Sequence, residues 1–327
     1  MPSANPLSPA RTLTSLAAAL SLLAAMAAAH PDHGGLSTDA DDYPPTGQFV
    51  DLGAIRVHAH VSGPDDAPAV ILVHGASGNL RDFTFDLVPR LAERYRVVAF
   101  DRPGLGHTPV LDREGESPAE QAALLDAAAG ALGIERAVIV GHSYGGAVAM
   151  AWALEHPERA AGIVSLAGAT MPWPGGLGAW YSIASSRVGG ATVVPLVSTF
   201  ATTSLARSSI QSIFAPQDPP HGYAAHIGIG LSLRPHSLRA NARQLNTLKP
   251  HITAMAARYP DLEVPVEVVH GTADTLVPVR IHGARMVEII PGAELTRLEG
   301  VGHMPHHARP DETIAAIDRV AARAGLN

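Results

Sequence analysis

The stretch Val138-Ile139-Val140-Gly141-His142-Ser143-Tyr144-Gly145-Gly146-Ala147-Val148-Ala149-Met150 constrains the fold more than any other part of the chain. Arg136 to Val140 is a short β-branched run, the pattern of a buried strand. Ala147 to Leu154 is rich in alanine, methionine and leucine, which favour a helix. Little separates the two, and Gly141, Gly145 and Gly146 dominate what does. A strand that turns so abruptly into a helix forces the middle residue into a strained backbone, tolerated only where flanking side chains are missing. Ser143 is thereby lifted clear of the sheet at a helix N-terminus, where unpaired N–H groups and the helix dipole favour negative charge. The G-x-S-x-G pattern in this setting is a nucleophile elbow.

The rest of the chain supplies the sheet that such a turn needs. The continuous apolar run Ala69–Val73 reads as a central strand buried on both faces; Arg96–Phe100 reads as the next strand, Ala161–Leu166 as another buried strand, and the sheet resumes at Val264–Val269. Ala293–Leu298 reads as the last strand. Helical patterns intervene at about Arg81–Tyr95, Pro118–Leu132, Ile281–Ile290 and Pro310–Ala324; Ser117 and Glu120 form a capping-box signature. Phe49 to Val61, alternating on either side of Gly53, predicts a hairpin with His58 and His60 facing solvent on one strand face. The glycines of Asp101–His107 form a tight strand exit, since Pro103 opposes a helix there and no phosphate-loop lysine follows. Such alternation predicts an α/β fold: a mostly parallel, doubly wound sheet with its site at the carboxyl ends of the strands.

The chain has 327 residues, enough for one large α/β domain with an inserted subdomain. A net charge of −7 offers no electrostatic case for nucleic acid. The absence of cysteine excludes disulfides, thiolate metal sites and a cysteine nucleophile. Residues 1–29 carry an uncharged apolar run after Arg11, ending in Ala27-Ala28-Ala29; it reads as a signal cleaved before His30, and alternatively as a membrane anchor through residues 12–29. An exported protein, periplasmic or secreted, is the expectation. Residues 30–46 read as a linker, 47–170 as the first part of the core, 171–255 as an inserted helical cap and 256–327 as the second part of the core. The cap segment holds no strong buried strand but does hold Trp173, Trp180, Tyr181, Phe200, Phe214 and Tyr223, which must bury against something; the mouth of the sheet is the nearest surface.

Serine is a poor nucleophile until a base takes its proton, and the base needs an acceptor that fixes its tautomer. His303, in a glycine-flanked loop after the last strand, suits the base; Asp274, just past the Val264–Val269 strand, suits the acceptor; Asp101 is the second choice. His306 and His307 raise a metal cluster with His303 as an alternative, but no carboxylate lies at ligand spacing in the sequence, and catalysis is the preferred reading. The backbone N–H of Tyr144 is one oxyanion donor.

Four motifs in order, His74-Gly75, Gly141-His142-Ser143-Tyr144-Gly145, Gly271-Thr272-Ala273-Asp274 and Gly302-His303, resemble the α/β-hydrolase superfamily, in the cap-bearing group of esterases, C–C hydrolases and cofactor-free haloperoxidases. The resemblance covers roughly residues 47–324. It implies an α/β-hydrolase fold, a second oxyanion donor at Ala76 with Ser77 close behind, a bracing role for His74 and a structural aspartate at Asp101. Serine at the elbow's centre disfavours the dehalogenases and epoxide hydrolases, which by resemblance use aspartate there. The expected function is a serine esterase acting on a small hydrophobic ester, with no cofactor or metal required. The same triad also serves C–C hydrolysis, acyl transfer or perhydrolysis, and a ligand-binding homologue without turnover is the alternative from another class.

Overall fold

The structure, a computed structural model, describes residues 37–39, 41–111 and 116–326. The expected signal or anchor segment and the first part of the linker lie outside the described residues. No helix among the described residues is long and apolar enough to cross a membrane.

Eight strands form one sheet: β1 (Gln48–Asp51), β2 (Arg56–Ser62), β3 (Ala69–Val73), β4 (Arg96–Phe100), β5 (Ala137–His142), β6 (Ala160–Leu166), β7 (Val266–Gly271) and β8 (Glu294–Leu298). Their order is β1-β2-β4-β3-β5-β6-β7-β8. β1 and β2 make the expected hairpin, β2 pairs antiparallel with β4, and every later pair is parallel. β3, β5, β6 and β7 are buried along their whole length; β3 is apolar throughout, whereas β7 carries a buried Glu267 that accepts from Thr296 Oγ1 at 2.9 Å and Arg319 Nε at 3.1 Å. Successive side chains point to opposite faces. Ala69, Ile71 and Val73 therefore join one core layer, and Val70 and Leu72 the other.

Helices cover both faces. α1 (Arg81–Thr84) and α2 (Leu87–Leu91) follow β3, α3 (Pro118–Ala131) precedes β5, and α4 (Tyr144–Glu155) follows it. The predicted capping box is formed: the Glu120 N–H donates to Ser117 Oγ at 3.2 Å and the Ser117 N–H to Glu120 Oε2 at 2.7 Å. The single helix expected over 81–95 is instead two short ones, because Asp86 leaves the helical region at φ −144°. Between β6 and β7 run α5 (Ala179–Ser185), α6 (Arg187–Phe200), α7 (Thr203–Phe214), α8 (Tyr223–His226), α9 (Ile229–Leu233) and α10 (Pro235–Ala256), the inserted cap. α11 (Gly283–Ile289), α12 (Pro305–Ala308) and α13 (Pro310–Arg323) complete the chain.

The cap is tied to the strand exits by polar contacts. Asn79 Nδ2 donates to the Ile227 carbonyl at 2.9 Å, and Tyr223 Oη donates to Asp82 at 2.8 Å. The Gln217 carboxamide donates to the Gly300 carbonyl at 2.8 Å and accepts from the Gly302 N–H at 2.9 Å. A second expectation is overturned. His58 does not face solvent: it is buried, and its Nδ1 donates to Asp101 Oδ2 at 2.6 Å. β2 is an inner strand, and the β4 exit loop folds over the face that alternation alone would leave wet. His60 is half-buried, with its Nδ1 3.0 Å from the Thr46 carbonyl.

Candidate active site

Ser143 sits at φ +52°, ψ −115°, the strained geometry expected of it. The glycines around it are required by close approach. A Cβ on Gly145 would run into the Val73 carbonyl oxygen, and one on Gly141 into the Gly145 carbonyl. A Cβ on Gly75 would lie 3.1 Å from Ser143 Cβ and 3.0 Å from His142 Nδ1, so the β3 exit loop lies directly over the elbow. The turn is laced to β6: the Ser143 N–H donates to the Leu166 carbonyl at 2.9 Å, and the Ala169 N–H to the Ser143 carbonyl at 3.0 Å. Tyr144 is the first residue of α4, where its N–H has no intrahelical acceptor.

His303 and Asp274 are brought together from loops after β8 and β7. His303 Nδ1 lies 2.7 Å from Asp274 Oδ2, and both side chains are almost wholly buried. Asp274 Oδ1 accepts from the N–H groups of Leu276 and Val277, each at 2.9 Å. Burial pushes this carboxyl up, but hydrogen bonds from His270 and His303 outweigh that and hold it well below the usual carboxylate range. An ionised Asp274 keeps the proton on His303 Nδ1 and leaves Nε2 as a lone pair. The backbone carbonyl of His303 accepts from His142 Nε2 at 2.9 Å, which joins the histidine loop to the residue before Ser143. Asp101 lies elsewhere: its carboxylate accepts from His58, from the Leu80 N–H at 2.8 Å and from the His107 N–H at 2.8 Å.

The loop expected to give the second oxyanion donor is fixed by His74, for which the resemblance implied a bracing role, and by Arg102 and Asn241, which the sequence did not single out. The Ser77 N–H donates to Asn241 Oδ1 on α10 at 2.8 Å, so it is spent on the cap, whereas among the described residues no side-chain acceptor takes the Ala76 N–H. His74 Nδ1 lies 2.9 Å from the Gly75 carbonyl, and His74 Nε2 accepts the Arg102 N–H at 3.0 Å; together these assign the neutral Nδ1–H tautomer. Burial, reinforced by the Arg102 cation, pulls His74 down to about 4. The Arg102 guanidinium is wholly buried, 4.3 Å above the Tyr144 ring. It donates to the carbonyls of His74 and Gly75, each at 2.9 Å, and to Gln121 and Gln244. Burial lowers Arg102 to about 10, so it remains a cation at neutral pH. The Gly75 carbonyl belongs to the same peptide group as the Ala76 N–H, and bonds to the one polarise the other.

Behind His303 lies a buried histidine stack. His142 packs against His303 and His306, with ring centroids 5.0 and 4.7 Å apart, and His306 packs on His307 at 4.3 Å. Asp82 supplies the carboxylate that sequence spacing lacked. It lies 3.1 Å from His306 Nε2 and 2.8 Å from His307 Nε2, and accepts from Tyr223 Oη. Asp82, His306 and His307 could converge on a metal, but His303 stands apart from them on Asp274. The imidazoles already reach the carboxylate directly, and their Nδ1 atoms lack the buried acceptors that metal-bound histidines employ. Burial pushes Asp82 up, but His306 and His307 more than reverse this and hold it well below its usual range.

The neutral histidines make the fold acid-sensitive. Burial, then His270, takes His282 down to about 4, and its Nδ1 accepts the Met171 N–H at 3.1 Å. The unfolded chain protonates His74 and His282 below about pH 6.5, while the folded chain holds both neutral down to about 4. Their stability contribution is therefore intact above about pH 6.5 and is lost as the pH falls toward 4, by about 2 kcal/mol for each at pH 5. Differential scanning fluorimetry is expected to show a level Tm from pH 8 to 7 and a fall of several degrees by pH 5; a level Tm through pH 5 would contradict the assigned tautomers.

Comparison with known proteins identifies the fold family. The sequence profile of the α/β-hydrolase fold matches residues 68–310. An uncharacterised protein of Mycobacterium tuberculosis is 29% identical over 297 residues, covering 85% of this chain and 82% of that one. The 2-hydroxy-6-oxononadienedioate/2-hydroxy-6-oxononatrienedioate hydrolase of Klebsiella pneumoniae is 26% identical over 287 residues, covering 84% and 94%. The crystal structure of an esterase from a Rhodococcus species superposes with a TM-score of 0.67 at 22% identity, covering 87% of this chain and all of that one. With three-quarters of its length matched by one profile, the chain belongs to the α/β-hydrolase fold family.

Proposed function

We propose that this α/β hydrolase is a serine hydrolase that cleaves carboxylic esters through an acyl-enzyme, with Ser143 as nucleophile, His303 as general base and acid, and Asp274 as its orienting carboxylate. The observation that carries this reading is the 2.7 Å contact between His303 and a buried, ionised Asp274, joined through His142 to a serine at φ +52°. His303 Nε2 takes the Ser143 proton as Oγ attacks the ester carbonyl. The oxyanion accepts from the N–H groups of Ala76 and Tyr144, which do the work that a Lewis acid would otherwise supply. Collapse of this intermediate breaks the C–O bond to the alcohol, which leaves with the proton from His303. Water, deprotonated by the same imidazole, then frees the acid and restores Ser143. The apolar cap suits a small hydrophobic acyl or alcohol group.

Hydrolysis of a C–C bond beside a carbonyl is the second reading, favoured by likeness to the Klebsiella hydrolase. Acyl transfer and perhydrolysis differ only in whether an alcohol or peroxide replaces water. A fluorophosphonate probe followed by peptide mass analysis is expected to mark Ser143, and a panel of p-nitrophenyl esters to show turnover with a short-chain preference. Ser143→Ala protein that hydrolyses p-nitrophenyl butyrate as fast as the wild type would end the proposal. Turnover of a 2-hydroxy-6-oxo dienoate in preference to every ester would select the second reading.

A further inference from the structure

α6 is amphipathic the wrong way round. Its buried positions are Gly189, Gly190, Val194 and Ser198. Its outward positions include Val188, 75% exposed, Leu196, 41%, and Phe200, 57%. A helix that merely covers a core presents its large apolar residues inward and polar ones outward. Val188, Leu196 and Phe200 are spaced by multiples of four, so with exposed Thr192 between the first two they form one slowly turning row, and Leu205 near the start of α7 is also exposed, at 52%. Apolar side chains presented this way mark a docking face.

Charge indicates what docks there. From Ala160 to Gln217 the chain contains no aspartate, glutamate, lysine or histidine; its two charged side chains are Arg187 and Arg207. Both are exposed, Arg187 at the start of α6 and Arg207 on α7. The whole chain carries −7. An uncharged apolar row flanked by arginines, on a molecule negative elsewhere, matches an anionic lipid surface: the arginines meet headgroup phosphates while the remainder is repelled and turned away. The chain's course agrees. Ser37 lies directly on Gly230 of α9, where a Cβ would meet its carbonyl oxygen. The apolar run of residues 13–29 ends eight residues earlier, a reach of at most about 29 Å. If that run is retained in a bilayer, the cap is the part of the fold that it tethers.

We propose that the outer face of α6 and the start of α7 is a membrane-docking surface that inserts Val188, Leu196 and Phe200 among the headgroups of an anionic bilayer. The lack of cysteine makes the test clean. Full-length Leu196→Cys, labelled with an environment-sensitive nitrobenzoxadiazole fluorophore, is mixed with phosphatidylglycerol-containing vesicles or with pure phosphatidylcholine vesicles. The control, Glu312→Cys, reports from exposed α13. The expected result is a blue shift and a several-fold rise in emission at position 196, with phosphatidylglycerol vesicles only, and none at position 312. Adding Arg187→Glu and Arg207→Glu is expected to weaken vesicle partitioning about tenfold or more, with unchanged circular dichroism as the folding check. An unshifted spectrum at position 196 on protein that cosediments with the vesicles overturns the proposal. So does a shift without vesicles that grows with protein concentration, which would make the face a contact between copies, or partitioning indifferent to the two charge reversals.

Discussion

Asp274→Asn is expected to lower kcat/KM for p-nitrophenyl butyrate by about 10³- to 10⁴-fold while leaving the protein folded. The carboxamide oxygen of the variant can go on accepting the Leu276 and Val277 N–H groups, so the loop after β7 keeps its shape. The carboxamide nitrogen would then face His303 Nδ1, where the carboxylate now accepts at 2.7 Å. Two donors cannot share one bond, so the imidazole carries its proton on Nε2 and can no longer take one from Ser143. Asp101→Asn is the contrast. That carboxylate holds His58 and the N–H groups of Leu80 and His107, away from His303. Its loss is expected to lower Tm by several degrees and to leave kcat of the folded fraction within about threefold. Steady-state kinetics and melting curves on the two variants read both quantities, and the reverse ranking would move the catalytic acid to Asp101.

Gly145→Ala is expected to damage both stability and activity severely. Its Cβ would run into the Val73 carbonyl oxygen and lie 2.7 Å from that of His74. Val73 ends a fully buried strand paired on both sides, so the carbonyl cannot retreat. Overpacking against backbone that cannot yield costs about 3–5 kcal/mol, which for a domain of this size is a loss of about 8 °C or more in Tm. The distortion falls on Ser143, two residues away, so activity per folded molecule drops as well. Gly176→Ala, where nothing lies within 4 Å, is the control and is expected to stay within about 1 °C. Urea denaturation and scanning fluorimetry report the difference; equal Tm values for the two variants would mean that the close packing at the elbow is not real.

Local chemistry was legible in the sequence, and remote packing was not. The strands were readable because parallel strands buried on both faces are predominantly apolar, as β3 is throughout and β6 is apart from Ser165. The start of α3 was readable because a capping box is complete within four residues. The elbow was readable because its glycines answer a requirement set by neighbours in the chain. His58 was misjudged because alternation says which side a residue faces, not what covers that side. The expected helix over 81–95 is broken where Phe85 packs edge-on to Tyr223, with ring centroids 5.6 Å apart, and Asp86 turns to pair with Arg90. No local pattern announces a contact made by the cap. Asp82 meets His306 and His307 across more than two hundred residues, and Asn241 reaches Ser77 across 164, so neither could be paired by spacing. For Arg102 a weak signal existed: a lone cation in a strand-exit loop of proline, glycine and leucine has few polar places to go except inward.

The Gln217 carboxamide grips both sides of the peptide segment that presents His303, and Gly302 has room for no side chain because the Ala215 backbone lies against it. Under the proposed function, the segment that borders the substrate is thus also a splint for the imidazole of His303. In evolutionary terms the two cannot drift apart freely: a lineage that remodels its cap to admit a new substrate inherits a displaced imidazole and must restore its aim. Grafting a foreign cap onto this sheet would therefore exchange turnover along with preference, even toward molecules too small to touch the graft.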